Sequence, residues 1–141
     1  TGDTNLCMTI RTSIIGEEKG QKRSLLEWAL NQKGKQVNGF INHKWNGVTT
    51  VYLAEIVDAI LEKKLYKHGV FHIFSSQTVS KYELLNIVSE IYELGCMVKK
   101  TNASRSIDRS LVSVYPLSSQ VAKKSIRQQI IEMRVFFATI K

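Results

Sequence analysis

Residues 69–95, GVFHIFSSQTVSKYELLNIVSEIYELG, contain a strand and a capped helix in direct succession. Val70 to Phe74 form an apolar run with a single histidine, which is typical of a buried strand. Ser80 and Glu83 have the spacing of a capping box, and Gly95 is a suitable C-terminal stop. The apolar residues between them recur at helical spacing: Leu84, Leu85, Val88 and Ile91. This unit indicates an α/β protein.

The segments upstream continue the alternation of strands and helices. Residues 6–15, LCMTIRTSII, place apolar and β-branched residues in near alternation and predict a strand. A second capping box, Ser24-x-x-Glu27, predicts a helix that ends at Gly34. The polar stretch 35–48 fits a short strand and an ordered loop, and residues 50–65 have the clearest helical periodicity in the chain.

The segments downstream add one more strand and one more helix. Residues 96–98 predict a short strand, and residues 118–137 predict a final helix with one apolar face. The expected architecture is therefore the C-terminal part of a Rossmann-like α/β fold, with short strands alternating with about four helices. A length of 141 residues suits one domain with its own core.

Bulk composition is that of an ordinary globular protein. Hydrophobic residues make up 43% of the chain and charged residues 23%, and no apolar run approaches the roughly 20 residues that span a bilayer. The first residues carry no signal-peptide pattern. Two distant cysteines, Cys7 and Cys96, favour a reduced protein over a disulfide. We therefore predict a cytoplasmic location without membrane contact.

The positive charge is concentrated near the C-terminus. Residues 1–94 hold eleven Lys/Arg against ten Asp/Glu, whereas residues 95–141 hold nine Lys/Arg against two acids. Such a surplus favours an anionic partner, which could be a nucleotide diphosphate or a polyanion. A stand-alone basic module that binds nucleic acid is therefore an alternative function. The basic region 95–141 does not interleave aromatic residues with the basic ones on one surface, so we expect the chain not to bind nucleic acid.

The usual motifs of autonomous redox enzymes are absent from the sequence. The eight glycines form neither G-x-G-x-x-G nor a phosphate loop, and no Tyr-x-x-x-Lys pair is present. His68 and His72 are four residues apart, but Gly69 favours a turn and strand there over a metal-binding helix. We therefore predict no catalytic, cofactor-binding or metal-binding residues within this chain.

Four segments in a fixed order carry a family resemblance. They are Ile10–Gly16 (IRTSIIG), Trp45–Thr50 (WNGVTT), Gly69–Leu85 with its HIFSS and SKYELL parts, and Asp108–Ser113 (DRSLVS). Over roughly residues 5–115 the chain resembles the second half of the extended short-chain dehydrogenase/reductases. The most similar group is the dTDP-4-dehydrorhamnose reductase-like, sugar-nucleotide-binding proteins.

The resemblance implies the substrate-side portion of a larger enzyme. In complete members an N-terminal Rossmann half binds NAD(P) and carries the catalytic Tyr-x-x-x-Lys. Residues 1–141 would then form a single substrate-binding portion, inactive alone, of a nucleotide-sugar reductase or epimerase in polysaccharide or deoxysugar biosynthesis. Its expected partners are the nucleotide sugar and the missing Rossmann half, and a homodimer is possible because unpaired apolar faces need cover.

The predicted substrate-binding residues come from three of these segments. They are Arg11, Thr12, Ser13, Trp45, Asn46, Thr49, Thr50, Asp108, Arg109 and Ser110. The first three end a strand, where open α/β sheets place their ligands, and the resemblance implies that Thr12 and Ser13 face the sugar or nicotinamide region. Capping of backbone groups by the hydroxyls and an ion pair of the arginine are the alternative.

The other candidates also have two interpretations. Asn46, Thr49 and Thr50 lie beside a helix N-terminus, where they could contact phosphate or sugar hydroxyls, or simply cap the helix. Arg109 could grip a diphosphate through two parallel hydrogen bonds, oriented by Asp108. Alternatively, it could form a surface ion pair with Asp108 that contributes little to stability. Of the two tryptophans, Trp28 is expected to pack in the core. Trp45 lies in a polar loop and is the better candidate for stacking on a ligand.

Overall fold

The computed structural model describes residues 7–20 and 23–140, and within them it shows the predicted α/β fold. The helices are α1 (Leu25–Leu30), α2 (Thr50–Glu62), α3 (Lys81–Ile91), α4 (Leu117–Val121) and α5 (Ile126–Thr139). The strands are β1 (Met8–Arg11), β2 (Ile14–Ile15), β3 (Gln36–Phe40), β4 (His43–Trp45), β5 (Val48–Thr49), β6 (Gly69–His72), β7 (Val79–Ser80), β8 (Met97–Thr101) and β9 (Ile107–Asp108).

The strands pair mostly in parallel, as expected when helices connect them. β1 pairs with β6, β2 with β5, and β3 with β8, each in parallel. β4 lies between β7, to which it is antiparallel, and β9, to which it is parallel. Elements that are far apart in sequence therefore meet on both sides of β4.

The apolar helix faces bury two clusters of side chains. The first joins α1, α3 and α5 and includes Leu26, Leu85, Val88, Ile130 and Met133. The second joins α2, β6 and α4 and includes Ile56, Ile60, Phe71, Ile73 and Leu117. The capping box predicted at the start of α3 is present, since Ser80 and Glu83 each accept from the other's backbone N–H.

The predicted single helix over residues 118–137 is wrong, because the chain breaks between α4 and α5. The Tyr52 hydroxyl donates to Val121 O (3.1 Å) and accepts from the N–H groups of Lys123 (2.8 Å) and Lys124 (3.1 Å). Ser125 then caps α5 by accepting from a backbone N–H. These bonds satisfy three backbone polar groups at the break.

The predicted strand over residues 6–15 is divided in the structure. Its described part, from residue 7, forms β1 and β2, separated by Thr12 and Ser13. The division follows from pairing, because β1 lies beside β6 whereas β2 lies beside β5. Leu6 lies outside the described residues. Among the described helices, none combines the length and the apolar character that crossing a membrane requires.

Candidate anion-binding site

A cavity of about 470 Å³ lies where β2, β4 and β9 meet the first residues of α1 and α3. Three of the predicted substrate-binding residues line it, namely Ser13, Trp45 and Arg109. The other lining residues are Ile14, Ile15, Ser24, Leu25, His43, Lys44, Lys81, Leu84 and Ile107. The cavity is therefore lined by both apolar and polar side chains.

Strand β4 brings the distant parts of the cavity together. Lys44 is the register partner of Ser80 on β7 and of Asp108 on β9. The N–H of Arg109 donates to Lys44 O at 3.0 Å, which continues the pairing past the end of β9. As a result, the start of α3 and the Asp108-Arg109 segment lie on opposite sides of one strand.

Trp45 forms a fixed wall of the cavity. Its indole Nε1 donates to Ser13 Oγ at 2.7 Å, which ties the ring to the end of the β1–β2 segment. A side chain at Gly47 would overlap both the Trp45 ring and the Ser13 carbonyl. The absence of a side chain at position 47 thus permits the close approach, and the hydrogen bond sets the ring's orientation.

The charged groups that line the cavity all carry positive charge. They are Lys44, Lys81 and Arg109, and no carboxylate of the described residues lines the cavity. The Lys81 ammonium lies 5.3 Å from the ring centroid of Trp28 and 5.4 Å from that of Phe40, within cation–π range of both. Burial, followed by the nearby Arg109 guanidinium, lowers the pKa of Lys81.

The predicted pair Asp108 and Ser110 lies beside the cavity and not in its lining. The Asp108 carboxylate accepts from the Ser110 N–H at 2.8 Å. The hydroxyl and N–H of the adjacent Ser110 lower the pKa of Asp108, with a smaller contribution from Lys44. Of these two groups only the N–H has hydrogen-bond geometry to the carboxylate, and the buried hydroxyl has no hydrogen-bond partner among the described residues. This turn fixes the backbone on both sides of Arg109, so the two residues hold the arginine's position at the cavity.

Asn46 and Thr49 make structural contacts. The Asn46 amide donates to Leu111 O (2.9 Å) and accepts from Leu111 N (2.7 Å), so both ends of the side chain are occupied. The Thr49 hydroxyl caps α2 by accepting from Tyr52 N at 3.2 Å. The contact of Thr49 is the helix cap that the sequence allowed, and that of Asn46 anchors the Leu111 loop. The binding roles of both residues stay predictions.

Three further candidates lie away from the cavity. The Thr50 hydroxyl is buried against Gly16 and has no hydrogen-bond partner among the described residues. Arg11 is exposed at the end of β1, and the Thr12 hydroxyl makes a long bond of 3.4 Å to the carbonyl of Ser13. The binding roles of these three residues stay predictions.

The residues that the sequence did not single out are His43, Lys44 and Lys81. Period-two alternation on β4 places His43 on the same side as Trp45, which is a signal that could have identified it. Lys81 occupies the first position of a helix, where a cation is unfavourable, and that local conflict is a signal too. No comparable group of metal-ligating side chains exists, since no three His, Cys, Asp or Glu among the described residues could hold a metal ion.

No protein-family model matches the sequence, and no curated protein matches it. Solved structures do match. A dTDP-4-dehydrorhamnose reductase from Clostridium acetobutylicum is similar with a TM-score of 0.67 and 15% identity, covering 93% of this chain and 49% of that one. The Bacillus anthracis dTDP-4-dehydrorhamnose reductase, in complex with NADP, has a TM-score of 0.71 and 11% identity, with coverages of 92% and 48%.

A third structure extends the likeness to epimerases. The Thermotoga maritima UDP-glucose 4-epimerase, solved with UDP-glucose, has a TM-score of 0.65 and 13% identity, covering 95% of this chain and 47% of that one. The chain thus shares the α/β fold of the matching part of these enzymes. These structural neighbours are nucleotide-sugar reductases and an epimerase, and the chain spans about half the length of each.

Proposed function

We propose that this chain is the substrate-side portion of an NAD(P)-dependent nucleotide-sugar reductase or epimerase, and that its cavity binds the diphosphate of the nucleotide sugar. The observation that carries the proposal is the cavity lining, in which three cations and an oriented tryptophan occur without a carboxylate among the described residues. A cavity of about 470 Å³ is in the size range of small-molecule sites.

The lining residues suit the chemistry of such a ligand. The Arg109 guanidinium can donate two parallel hydrogen bonds to phosphate oxygens, which a lysine cannot do. The Trp45 ring offers an aromatic face for a base or a sugar. The hydroxyls of Ser13 and Ser24 add groups that can bond sugar hydroxyls, although Ser13 already accepts from the indole.

The open edge and exposed face of the β1–β6 pair support the proposal that a second half of the enzyme packs here. Among the described strands, β6 is the only neighbour of β1, so the other edge of β1 has no strand partner. Met8 and Ile10 pack against the cluster around α2, whereas Thr9 and Arg11 on the opposite face are exposed. Parallel sheets in α/β proteins are covered on both faces, so a two-stranded parallel pair with one open face is incomplete.

We propose that the absent half supplies the NAD(P) site and the catalytic Tyr-x-x-x-Lys, because the sequence has neither. The chain alone would then bind substrate without turning it over. As the resemblance implies, we assign the complete enzyme to polysaccharide or deoxysugar biosynthesis, and the two distant cysteines favour the cytoplasm. We also propose that the isolated chain forms a homodimer, in which a second copy covers the open face of the β1–β6 pair.

Binding measurements on the 141-residue chain test the proposal. We expect titration calorimetry to show that dTDP or UDP binds at least about tenfold more tightly than thymidine or uridine, because charge-assisted hydrogen bonds to phosphate contribute about 1.5–3 kcal/mol. We also expect the chain to leave NADPH unoxidised in the presence of a dTDP-linked 4-keto sugar. Equal affinity for nucleoside and nucleoside diphosphate would contradict the proposed site.

A matched pair of variants locates the binding. Arg109→Met should weaken dTDP binding about tenfold or more, since it removes the guanidinium from the cavity. Arg105→Met is the control, because Arg105 is exposed and does not line the cavity. If both variants bind dTDP as tightly as the unmodified chain, the diphosphate does not lie in this cavity.

A further inference from the structure

Lys81 occupies a position that local rules disfavour. It is the first residue of α3, where the positive end of the helix dipole repels a cation. The helix start does not need it, since Ser80 and Glu83 complete the capping box without any contribution from the lysine. Such conflicts between a residue and its local structure are expected chiefly at functional sites.

The surroundings of Lys81 add to the conflict. Its ammonium lies within cation–π range of the rings of both Trp28 and Phe40, and close to Arg109. Among the described residues, no carboxylate lies within ion-pairing distance of either Lys81 or Arg109. Lys44, the third cation of the lining, differs in having Asp108 as its cross-strand neighbour. Folding therefore brings two cations together at the cavity without a counter-charge.

We propose that Lys81 and Arg109 form a two-point grip, in which each binds one phosphate of the ligand's diphosphate. This inference rests on the proposed function, because it names the second phosphate contact of the same cavity. The charges agree: a nucleoside diphosphate linked to a sugar carries one negative charge on each phosphate, and the two unpaired cations supply the matching pair. The grip makes the cavity selective for a diphosphate over a monophosphate.

The aromatic pair explains how one lysine can be held in place without a carboxylate. Contacts with both rings restrict the long side chain, while its ammonium has no ion-pair partner among the described residues. An arriving phosphate then supplies the counter-charge.

The test compares dTDP with dTMP on three forms of the 141-residue chain: unmodified, Lys81→Met and Lys100→Met. Lys100 is the matched control, since its ammonium also lies over a ring, 5.8 Å from the Tyr82 centroid, but it does not line the cavity. We expect Lys81→Met to weaken dTDP binding about tenfold and dTMP binding less than about twofold. Lys100→Met should leave both affinities unchanged.

The thermal midpoint of the ligand-free chain separates binding from folding. We expect Lys81→Met to unfold at a temperature close to that of the unmodified chain, because the methionine sulfur can pack against the same two rings. We expect Lys81→Arg to retain the preference for dTDP. Equal weakening of dTDP and dTMP, or no weakening of either, overturns the two-point grip while leaving the proposed function intact. If the unmodified chain binds neither dTDP nor dTMP, the proposed function fails and this inference fails with it.

Discussion

Replacing Gln129 with Met would remove a buried side chain that makes three hydrogen bonds. Gln129 is only 1% exposed. Its Oε1 accepts from Thr49 N at 3.1 Å, and its Nε2 donates to Ser75 Oγ at 2.8 Å and to Lys124 O at 2.9 Å. One amide thus joins α5 to the N-terminus of α2, to the segment after β6 and to the break before α5.

The magnitude follows from the three bonds. Each intramolecular hydrogen bond contributes about 1 kcal/mol net, and a methionine of similar length leaves no large cavity but removes all three bonds. We therefore expect the free energy of unfolding to fall by about 3 kcal/mol. For a chain of this size that corresponds to a decrease of about 10 °C in Tm.

Urea and thermal unfolding of Gln129→Met and Gln128→Met provide the assay. Gln128 is the adjacent exposed residue, and its amide bonds only the Glu132 carboxylate, at 3.1 Å, so its loss should change stability by less than about 0.5 kcal/mol. A loss of less than about 1 kcal/mol in Gln129→Met would refute the reasoning, because it would mean that the bonds of the buried amide contribute little.

Three further outcomes are expected. Tyr52→Phe should cost about 2–3 kcal/mol in urea unfolding, because the hydroxyl makes three backbone bonds at the break between α4 and α5; an unchanged midpoint would contradict this. The backbone N–H of Ser80 is the main cause of the lowered pKa of Glu83. The Glu83 carboxylate therefore contributes its full stabilisation of the fold above its pKa in the unfolded chain, roughly 4.3, and loses it as the pH falls through its lower pKa in the folded chain. Glu83→Gln should remove this pH dependence of Tm between the two pKa values. Ser13→Ala, measured in a Trp28→Phe background, should shift the fluorescence of Trp45, because the indole loses its acceptor; an unshifted spectrum would contradict the fixed wall.

Local periodicity predicted the elements whose own sequence decides their structure. The helices α2 and α3 follow from apolar spacing, and the capping box at Ser80 follows from the residue types alone. The break between α4 and α5 could not be predicted in this way, because the hydroxyl that stabilises it belongs to Tyr52, about seventy residues earlier. Strands of two residues, such as β5 and β9, are too short for any periodicity.

The candidate site was predictable only where one segment carries its own signal. Trp45 and Arg109 are residue types that suit a nucleotide sugar, and both line the cavity. Asn46 has an equally suitable side chain, but pairing with Leu111 uses both ends of its amide, a contact over 65 positions that the sequence does not reveal. Lys81 joins the site through the pairing of β4 with β7, which is likewise long-range.

The meaning of the basic C-terminal region changes once its charges are located. Arg127 pairs with Glu90, Arg134 lies 3.5 Å from Glu93, and Lys124 bonds both Glu55 (2.5 Å) and Glu132 (2.6 Å). These cations have counter-charges on α2, on α5, and on or just after α3, which reduces the surplus that could attract a polyanion.

The cations at the cavity differ in this respect. Arg109 lies within the same basic region and has no ion-pair partner among the described residues. A polyanion-binding surface would need its free cations spread along an exposed face, and its affinity would fall steeply with salt over many contacts. Free cations gathered at one cavity instead fit a small ligand with two adjacent charges. We therefore expect the affinity for dTDP to fall only slightly as salt is added, and we expect no detectable binding of polynucleotides.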